Sequence, residues 1–344
     1  MRALVDILRS EHHLDSNGYK MLLESNDENV VNYLHQQARE VANERFDKGI
    51  FVRGLIELTN VCRNDCLYCG IRRSNKSLTR YTLTHEQVMQ CCQTGHAIGF
   101  RTFVIQGGEL PRDKAQWLIQ LVADMRSSWP DCAITLSLGE WTRDVYKALR
   151  NAGADRYLLR HETHNPQHYV SLHPANMSLK NRIQCLEWLK ELGYQVGTGI
   201  MVGSPGQTIN HIIEDIEFIE QFRPHMIGLG PFIPQHDTPM GIYPAGSADI
   251  TKRLYSIFRL MFPNVLLPST TALNSINDNG RIKGIMAGAN VVMPNLSPAD
   301  VRENYALYDG KISSAAEAAE GLAQLETQLA SIGYHINWNR GDYK

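Results

Sequence analysis

Three cysteines, Cys62, Cys66 and Cys69, fall within eight residues, Cys-Arg-Asn-Asp-Cys-Leu-Tyr-Cys, just after the apolar run Gly54–Thr59. Three thiolates on one short loop can hold three corners of an iron–sulfur cube. The fourth iron is then free to bind a small molecule, and a low-potential cluster can pass that molecule one electron. The rival metal is structural zinc, which asks for four N or S ligands and usually pairs a C-x2-4-C with a second pair downstream. A third reading is three buried, inert thiols. The C-x3-C-x2-C spacing and the loop position favour the cluster.

The remaining cysteines do not extend that set. Cys91 and Cys92 are adjacent in a helical stretch and point about 100° apart, and Cys132 and Cys185 have no partner in sequence. All four read as small buried hydrophobes. Among 13 histidines, His161, His164 and His168 have a metal-like spacing, but Pro166 interrupts any helix that would align them. Seven cysteines is an odd number, and reduced thiols or metal ligands fit better than disulfides, as expected of a cytoplasmic protein.

Composition narrows the partners. Hydrophobic residues make up 43% and charged residues 20%, values of an ordinary soluble globular chain. The net charge of −2 gives no electrostatic case for nucleic acid or a membrane surface. No run reaches the roughly 18 apolar residues of a membrane span, and Met1–Arg9 reads as a short amphipathic helix rather than a signal peptide.

The elements that must position the cysteines follow from periodicity. Residues 1–50 read as a polar helical cap leading into the first strand. Strands are predicted at Gly54–Thr59, Thr102–Gln106, Ala133–Leu138, Arg156–Arg160, Gln195–Met201, Met226–Gly230, Val265–Pro268 and Asn290–Met293. Between them lie helical signals: a capping box of Thr84 with Gln87, helix-ending Gly153 and Gly193, and a stripe of Ile209, Ile212, Ile213, Ile216 and Ile219. Eight strands, each followed by helix or loop and none forming a hairpin, predict an α/β fold, a single full (βα)8 TIM-type barrel over residues 51–310. The alanine-rich Ser313–Ile332 reads as an exterior closing helix within a C-terminal segment 311–344.

In such a barrel the chemistry sits at the C-terminal ends of the strands. Strand two ends in Gln106-Gly107-Gly108-Glu109, where two glycines allow close backbone approach and Glu109 can accept from an ammonium group. Ser137, before Leu138-Gly139-Glu140, can reach a ribose. Alternation places Arg156 and Arg160 on one strand face, and two inward arginines need anionic partners. Glu162 suits ribose hydroxyls, and Arg182 on the next helix suits a carboxylate. The glycine-rich Gly197–Gly203, with Met201 in it, offers a flat face to an adenine. Arg53, with the hydroxyls of Ser269, Thr270 and Thr271, can form a small-anion pocket opposite the cluster.

The spacing of Cys62, Cys66 and Cys69, with aromatic Tyr68 before the last, resembles that of the radical S-adenosylmethionine (SAM) enzymes. More narrowly, the chain resembles the HydE family of radical SAM maturases of FeFe-hydrogenases, relatives of biotin synthase and methylornithine synthase. The matching stretches are CRNDCLYCGIRRSNKSLTRY (62–81), TLSLGEW (135–141), AGADRYLLRHETHNP (152–166), GIMVGSPGQT (199–208), GLGPFIPQHDTP (228–239), PSTTA (268–272) and GANVVMPNLSP (288–298). The resemblance implies one 4Fe–4S cluster on Cys62, Cys66 and Cys69 in a full (βα)8 barrel. It implies SAM in the barrel mouth against Tyr68, Gly107, Gly108, Glu109, Ser137, Arg160, Glu162, Arg182 and Met201.

The same resemblance implies a substrate chamber lined by Arg53, Gln106, Arg156, Thr270, Thr271, Met293 and Tyr305. There a 5′-deoxyadenosyl radical would act on an iron–carbonyl–cyanide–cysteine precursor of the hydrogenase diiron subcluster. Expected partners are other hydrogenase maturases and an electron donor such as ferredoxin. Some members carry a second cluster on cysteines near the C-terminus; this chain has no cysteine after Cys185, so no second cluster is expected. Alternatives are a methylornithine-synthase-like or biotin-synthase-like enzyme acting on an amino-acid-type substrate, and a silent metal-binding maturation scaffold.

Overall fold

The computed structural model describes residues 1–277, 279–311 and 321–344. Three helices open the chain, α1 (Arg2–Glu11), α2 (Ser16–Glu24) and α3 (Glu28–Phe46). The carboxylates of Asp15 and Asp27 accept from the N–H groups of Gly18 and Asn29, pairing donors that a first helical turn leaves free. These helices lie along the outer layer: His12 Nδ1 is 2.6 Å from Leu260 O, and His35 Nδ1 is 2.8 Å from Ser256 Oγ.

Strand and helix then alternate: β1 (Gly49–Val52), β2 (Gly54–Thr59), α4 (His85–Ile98), β3 (Thr102–Gly107), α5 (Ala115–Ser128), β4 (Ala133–Ser137), α6 (Arg143–Ala152) and β5 (Arg156–Leu158). They continue as α7 (Pro166–Leu172), α8 (Leu179–Glu191), β6 (Gln195–Thr198), β7 (Met201–Val202), α9 (Ile209–Phe222), β8 (Met226–Ile227), β9 (Gly230–Pro231) and α10 (Ala248–Met261). Last come α11 (Thr271–Ile276), α12 (Gly280–Met286), β10 (Val291–Val292), α13 (Ala299–Arg302), α14 (Leu322–Ser331) and β11 (His335–Asn337).

Every strand ladder among the described residues is parallel. The largest sheet runs β2-β3-β4-β5-β6-β8, β1 pairs with β10 and β11, and β7 pairs with β9. Isolated parallel bridges join Leu55 to Asn295, Met226 to Leu266 and Pro268 to Val291. All six residues of β2 are buried, as expected of a parallel strand covered on both faces. Ile56 and Leu58 join one core with Val88 and Cys92 of α4 and with Ile212, Ile216 and Ile219 of α9. The predicted isoleucine stripe is therefore the buried face of α9. The capping box at Thr84 is formed with both bonds present, and Gly153 ends α6 in the left-handed region.

The structure departs from the sequence reading in five places. An unpredicted strand, β1, begins at Gly49 inside the expected cap and runs to Val52, because it pairs on both sides. The predicted strand Gln195–Met201 is broken at Gly199-Ile200 into β6 and β7, and the predicted strand Met226–Gly230 at Gly228-Leu229 into β8 and β9. Val265–Pro268 makes only two isolated bridges and no ladder. β11 was not foreseen: three residues with one buried side chain carry no readable alternation. Of the predicted closing helix, Leu322–Ser331 is helical, and residues 313–320 lie outside the described residues.

Candidate active site

The cysteine loop leaves β2 and is tied to the turn that follows β3. Gly108 N–H donates to Thr59 O (3.0 Å), Arg63 N–H donates to Glu109 O (2.9 Å), and Glu109 N–H donates to Cys62 Sγ (3.4 Å). Gly108 is required for that approach, since a Cβ there would lie 2.3 Å from Val61 O. The three cysteines are half-buried and line a cavity of about 330 Å³ at the C-terminal ends of the strands. Cys66 Sγ also lies 3.7 Å from Met177 Sδ.

Burial pushes all three thiols up, Cys69 to about 12, with Cys62 raising both others by its own charge. Thiolates in this loop therefore need a compensating cation, which a metal supplies. Tetrahedral zinc would draw sulfurs to about 3.8 Å from one another. The three sulfurs do not fall within the 4.8 Å spread that one ion allows; among the described residues only His96, Asp131 and Cys132 do. Three thiolates on one loop suit three separate irons of one cluster.

Facing the cysteines is a chain of alternating charges. Arg63 bonds Glu109 at 2.6 and 3.1 Å; Arg182 bonds Glu140 at 2.7 Å, lies 3.7 Å from Glu109, and donates to Arg160 O at 3.0 Å. Arg160 in turn bonds Glu162 at 2.7 Å. Such a set can meet both ends of a zwitterion, an ammonium on the carboxylates and a carboxylate on the guanidinium groups. Two backbone positions hold it in place. Gly139, at φ +72°, leaves room for the Glu109 side chain, whose Cγ would sit 1.9 Å from a Cβ there. Glu162 takes φ +66°, pinned by its N–H to Gly199 O and by Met201 N–H to its own carbonyl.

His161 and Asp215, both fully buried, flank that pinned residue. Asp215 Oδ1 accepts the His164 N–H and lies 3.3 Å from His161 Nε2, while His161 Nδ1 is 2.8 Å from Thr198 Oγ1. Burial lowers His161 to about 3 and pushes Asp215 well up, so both groups are driven toward their neutral forms.

Of the residues picked from sequence, Cys62, Cys66, Cys69, Tyr68, Gln106, Gly107, Gly108, Glu109, Ser137, Arg160, Glu162, Arg182, Met201, Thr270, Met293 and Tyr305 line this one cavity. Gln106 Nε2 donates to Tyr305 Oη at 3.4 Å on the inner wall. Arg160 Nε and Thr270 Oγ1 have no hydrogen-bond partner among the described residues. Buried polar atoms are otherwise almost always paired, so these two mark where a polar ligand would complete the wall.

Three predicted substrate residues lie elsewhere. Arg156 and Arg160 share a strand face but sit at different depths. Arg156, at the start of β5, is bound by Asp342 Oδ1 (2.6 Å) and Arg340 O (2.9 Å). Arg53 lies with it, reaching Gly341 O and Met226 Sδ. Thr271 opens α11 and is not on the cavity wall. Nor does glycine-rich strand five offer an open face at Gly199, where a Cβ would lie 1.7 Å from the carbonyl oxygen of Gly228.

Sequence reasoning passed over Arg63, Glu140 and Glu57. Glu57 is 1% exposed; it bonds Asn295 Nδ2 at 2.9 Å and pairs with Lys311 at 2.7 Å. A charge in the middle of the apolar run Gly54–Thr59 was its available signal.

Parallel strands carrying a three-cysteine loop and a charge-lined cavity at their C-terminal ends define the class, a radical SAM enzyme. The Radical SAM superfamily profile matches residues 56–219. The "[FeFe] hydrogenase maturase subunit HydE" of Thermotoga maritima is 41% identical over 293 residues, 85% of this chain and 83% of that protein. The chain therefore belongs to the HydE family of radical SAM proteins. The 3-methylornithine synthase of Methanosarcina acetivorans is 28% identical over 86% of this chain and 83% of its own length. Among solved structures, methylornithine synthase (PylB) superposes with a TM-score of 0.86 at 24% identity, covering 97% of each chain. The maturase HydG of Carboxydothermus hydrogenoformans gives 0.80 at 20% identity, covering 96% of this chain and 78% of its own. The family implies a 4Fe–4S cluster and SAM. No helix among the described residues is long and apolar enough to cross a membrane.

Proposed function

We propose that this protein matures the FeFe-hydrogenase active site, acting on an iron–carbonyl–cyanide–cysteine precursor of the diiron subcluster. The observation that carries this reading is the single cavity in which the three cysteines face a zwitterion-sized run of charges and a separate inner wall of Gln106, Thr270, Met293 and Tyr305. A cluster on Cys62, Cys66 and Cys69 would supply the electron that splits SAM into methionine and a 5′-deoxyadenosyl radical. The chain's own residues do the rest. Glu109 and Arg182 orient the SAM amino and carboxylate groups, Glu162 and Ser137 hold its ribose, and Tyr68 and Met201 cover it. The inner wall offers hydroxyl and amide donors to cyanide and carboxylate groups of the substrate and keeps bulk water from the radical.

In this reading the parallel ladders and the three isolated bridges close a full (βα)8 barrel over residues 51–310, with 1–50 and 311–344 as appendages. It carries one cluster only, works in the cytoplasm and shares its substrate with other maturases. The 41% identity to a HydE, against 28% to a methylornithine synthase, favours this substrate over a free amino acid.

The test is SAM cleavage by the anaerobically reconstituted protein, assayed as 5′-deoxyadenosine with and without the iron–carbonyl–cyanide–cysteine complex. Deoxyadenosine alone, replaced by an adduct when the complex is added, supports the proposal. Lysine consumption with methylornithine release would reassign the substrate. An intact cluster that never cleaves SAM would make the protein a scaffold.

A further inference from the structure

We propose that the outer side of the cysteine loop is the docking face for an acidic one-electron carrier protein. The proposal rests on the radical SAM reading, in which each SAM cleavage consumes one electron: the carrier is oxidised by one electron as the cluster is reduced by one. The cavity lies on the inner side of Cys62, Cys66 and Cys69. On the outer side the chain folds back over the loop. Arg73 N–H donates to Asn64 O at 2.9 Å, and Arg72 N–H donates to Cys69 O at 3.1 Å. A carrier seated on residues 63–76 would thus meet the cysteines through a few residues of their own loop.

The charge of that segment stands apart from the rest of the chain. Residues 62–80 carry Arg63, Arg72, Arg73, Lys76 and Arg80 against Asp65, five cations less one anion, a net +4 in a protein of net −2. Several of these charges serve the fold. Arg72 bonds Asp65 at 2.8 Å, Arg63 bonds Glu109, and Arg80 donates to the carbonyls of Asn60, Ile71, Arg72 and Asn75. Arg73 and Lys76 remain, both exposed, with no ion pair among the described residues. Arg112 stands beside Arg63, donating to the same Glu140 carbonyl.

On the far side of Ser77 and Leu78 the surface is of mixed charge. Those two residues share a surface depression with Asp237, Glu303 and Asp309 and with the cations Arg302 and Lys311. Asp309 is held by His236 at 2.7 Å. Exposed cations on the segment that folds back onto the cysteine loop attract an acidic partner.

The test uses the cluster-loaded protein and an oxidised bacterial-type ferredoxin of net negative charge, with binding measured by isothermal titration at low and at about 0.15 M ionic strength. Arg73→Glu/Lys76→Glu should weaken binding at least about tenfold at low salt, and Arg73→Gln/Lys76→Gln by an intermediate factor. Lys20→Glu/Arg45→Glu, which makes the same change in net charge far from the loop, should not weaken it. Cleavage of SAM driven by dithionite should be equal in all four proteins, while cleavage driven by reduced ferredoxin should follow the binding order. Equal binding by wild type and the Arg73/Lys76 variants, or no binding by wild type at low salt, overturns the proposal. Loss of dithionite-driven cleavage in wild type would instead overturn the radical SAM reading, because the titration does not depend on turnover.

Discussion

Asp342 places Oδ1 2.6 Å from the guanidinium of Arg156, a side chain with no solvent exposure. The segment that carries Asp342 also brings the Arg340 carbonyl to the same guanidinium. Removing the carboxylate strands a buried cation, which costs about 3–5 kcal/mol when both partners are buried. Asp342 is 34% exposed, so the expected loss for Asp342→Ala is smaller, about 1–3 kcal/mol. Burial alone would raise the Asp342 carboxyl, but Arg156 and Arg340 together hold it below its ordinary value. A depressed carboxylate contributes stability above its unfolded pKa of about 3.9 and loses it as pH falls through the folded value. Thermal unfolding of wild type and variant should therefore differ at pH 7 and converge below about pH 4. Equal melting temperatures at pH 7 would mean the pair contributes nothing.

Asp215 offers a test in which charge and hydrogen bonding separate. With Asp215 pushed toward its neutral form and His161 held neutral by burial, the side chain works as a hydrogen-bonding group rather than as an ion. Asp215→Asn should then stay within about 1 kcal/mol of wild type. Asp215→Leu should lose about 2–4 kcal/mol by leaving the His164 N–H and His161 unpaired. Because Glu162 lies between them at φ +66°, the leucine variant should also raise the KM for SAM more than it lowers kcat. A destabilised asparagine variant would show that the pair is ionic after all.

Cys66→Ala addresses the cluster directly. With two thiolates left, the anaerobically reconstituted protein should lose most of its iron, sulfide and visible absorption, and should produce no 5′-deoxyadenosine above background. Zinc bound at one equivalent with no sulfide in the wild type would refute the cluster.

How much of this was legible depended on whether one residue or many carried the signal. The parallel topology could be read because each buried strand repeats the same apolar pattern, and the cysteine loop because its spacing is local. Glu109 and Ser137 came from looking just past the strands, and Arg182 from the helix that follows. Depth along a strand was not legible. Alternation puts Arg156 and Arg160 on one face, yet only contacts with Arg340 and Asp342, more than 180 residues away in sequence, decide that Arg156 is bound at the other end of β5. Arg63 and Glu140 were hidden for the same reason: their partners Glu109 and Arg182 are brought together only by the assembled sheet. Short strands such as β11 left no periodicity to read.

Gly139 connects that assembled geometry to SAM binding. It sits at φ +72°, and a Cβ there would fall 1.9 Å from Glu109 Cγ and 2.3 Å from its Oε1. Gly139→Ala therefore has two costs, about 1–2 kcal/mol for an L-residue in the left-handed region and the displacement of a side chain that Arg63 holds at 2.6 Å. Cys62 meets Glu109 through the backbone N–H and not through the displaced side chain, so iron and sulfide content should match wild type. If Glu109 receives the SAM ammonium, losing one charge-assisted bond of about 1.5–3 kcal/mol should weaken SAM binding roughly ten- to a hundredfold. Equilibrium binding of SAM to the cluster-loaded variant measures this without turnover. Unchanged affinity alongside a lowered melting temperature would show that Glu109 only braces the cysteine loop, and the ammonium site would then have to be sought at Glu162.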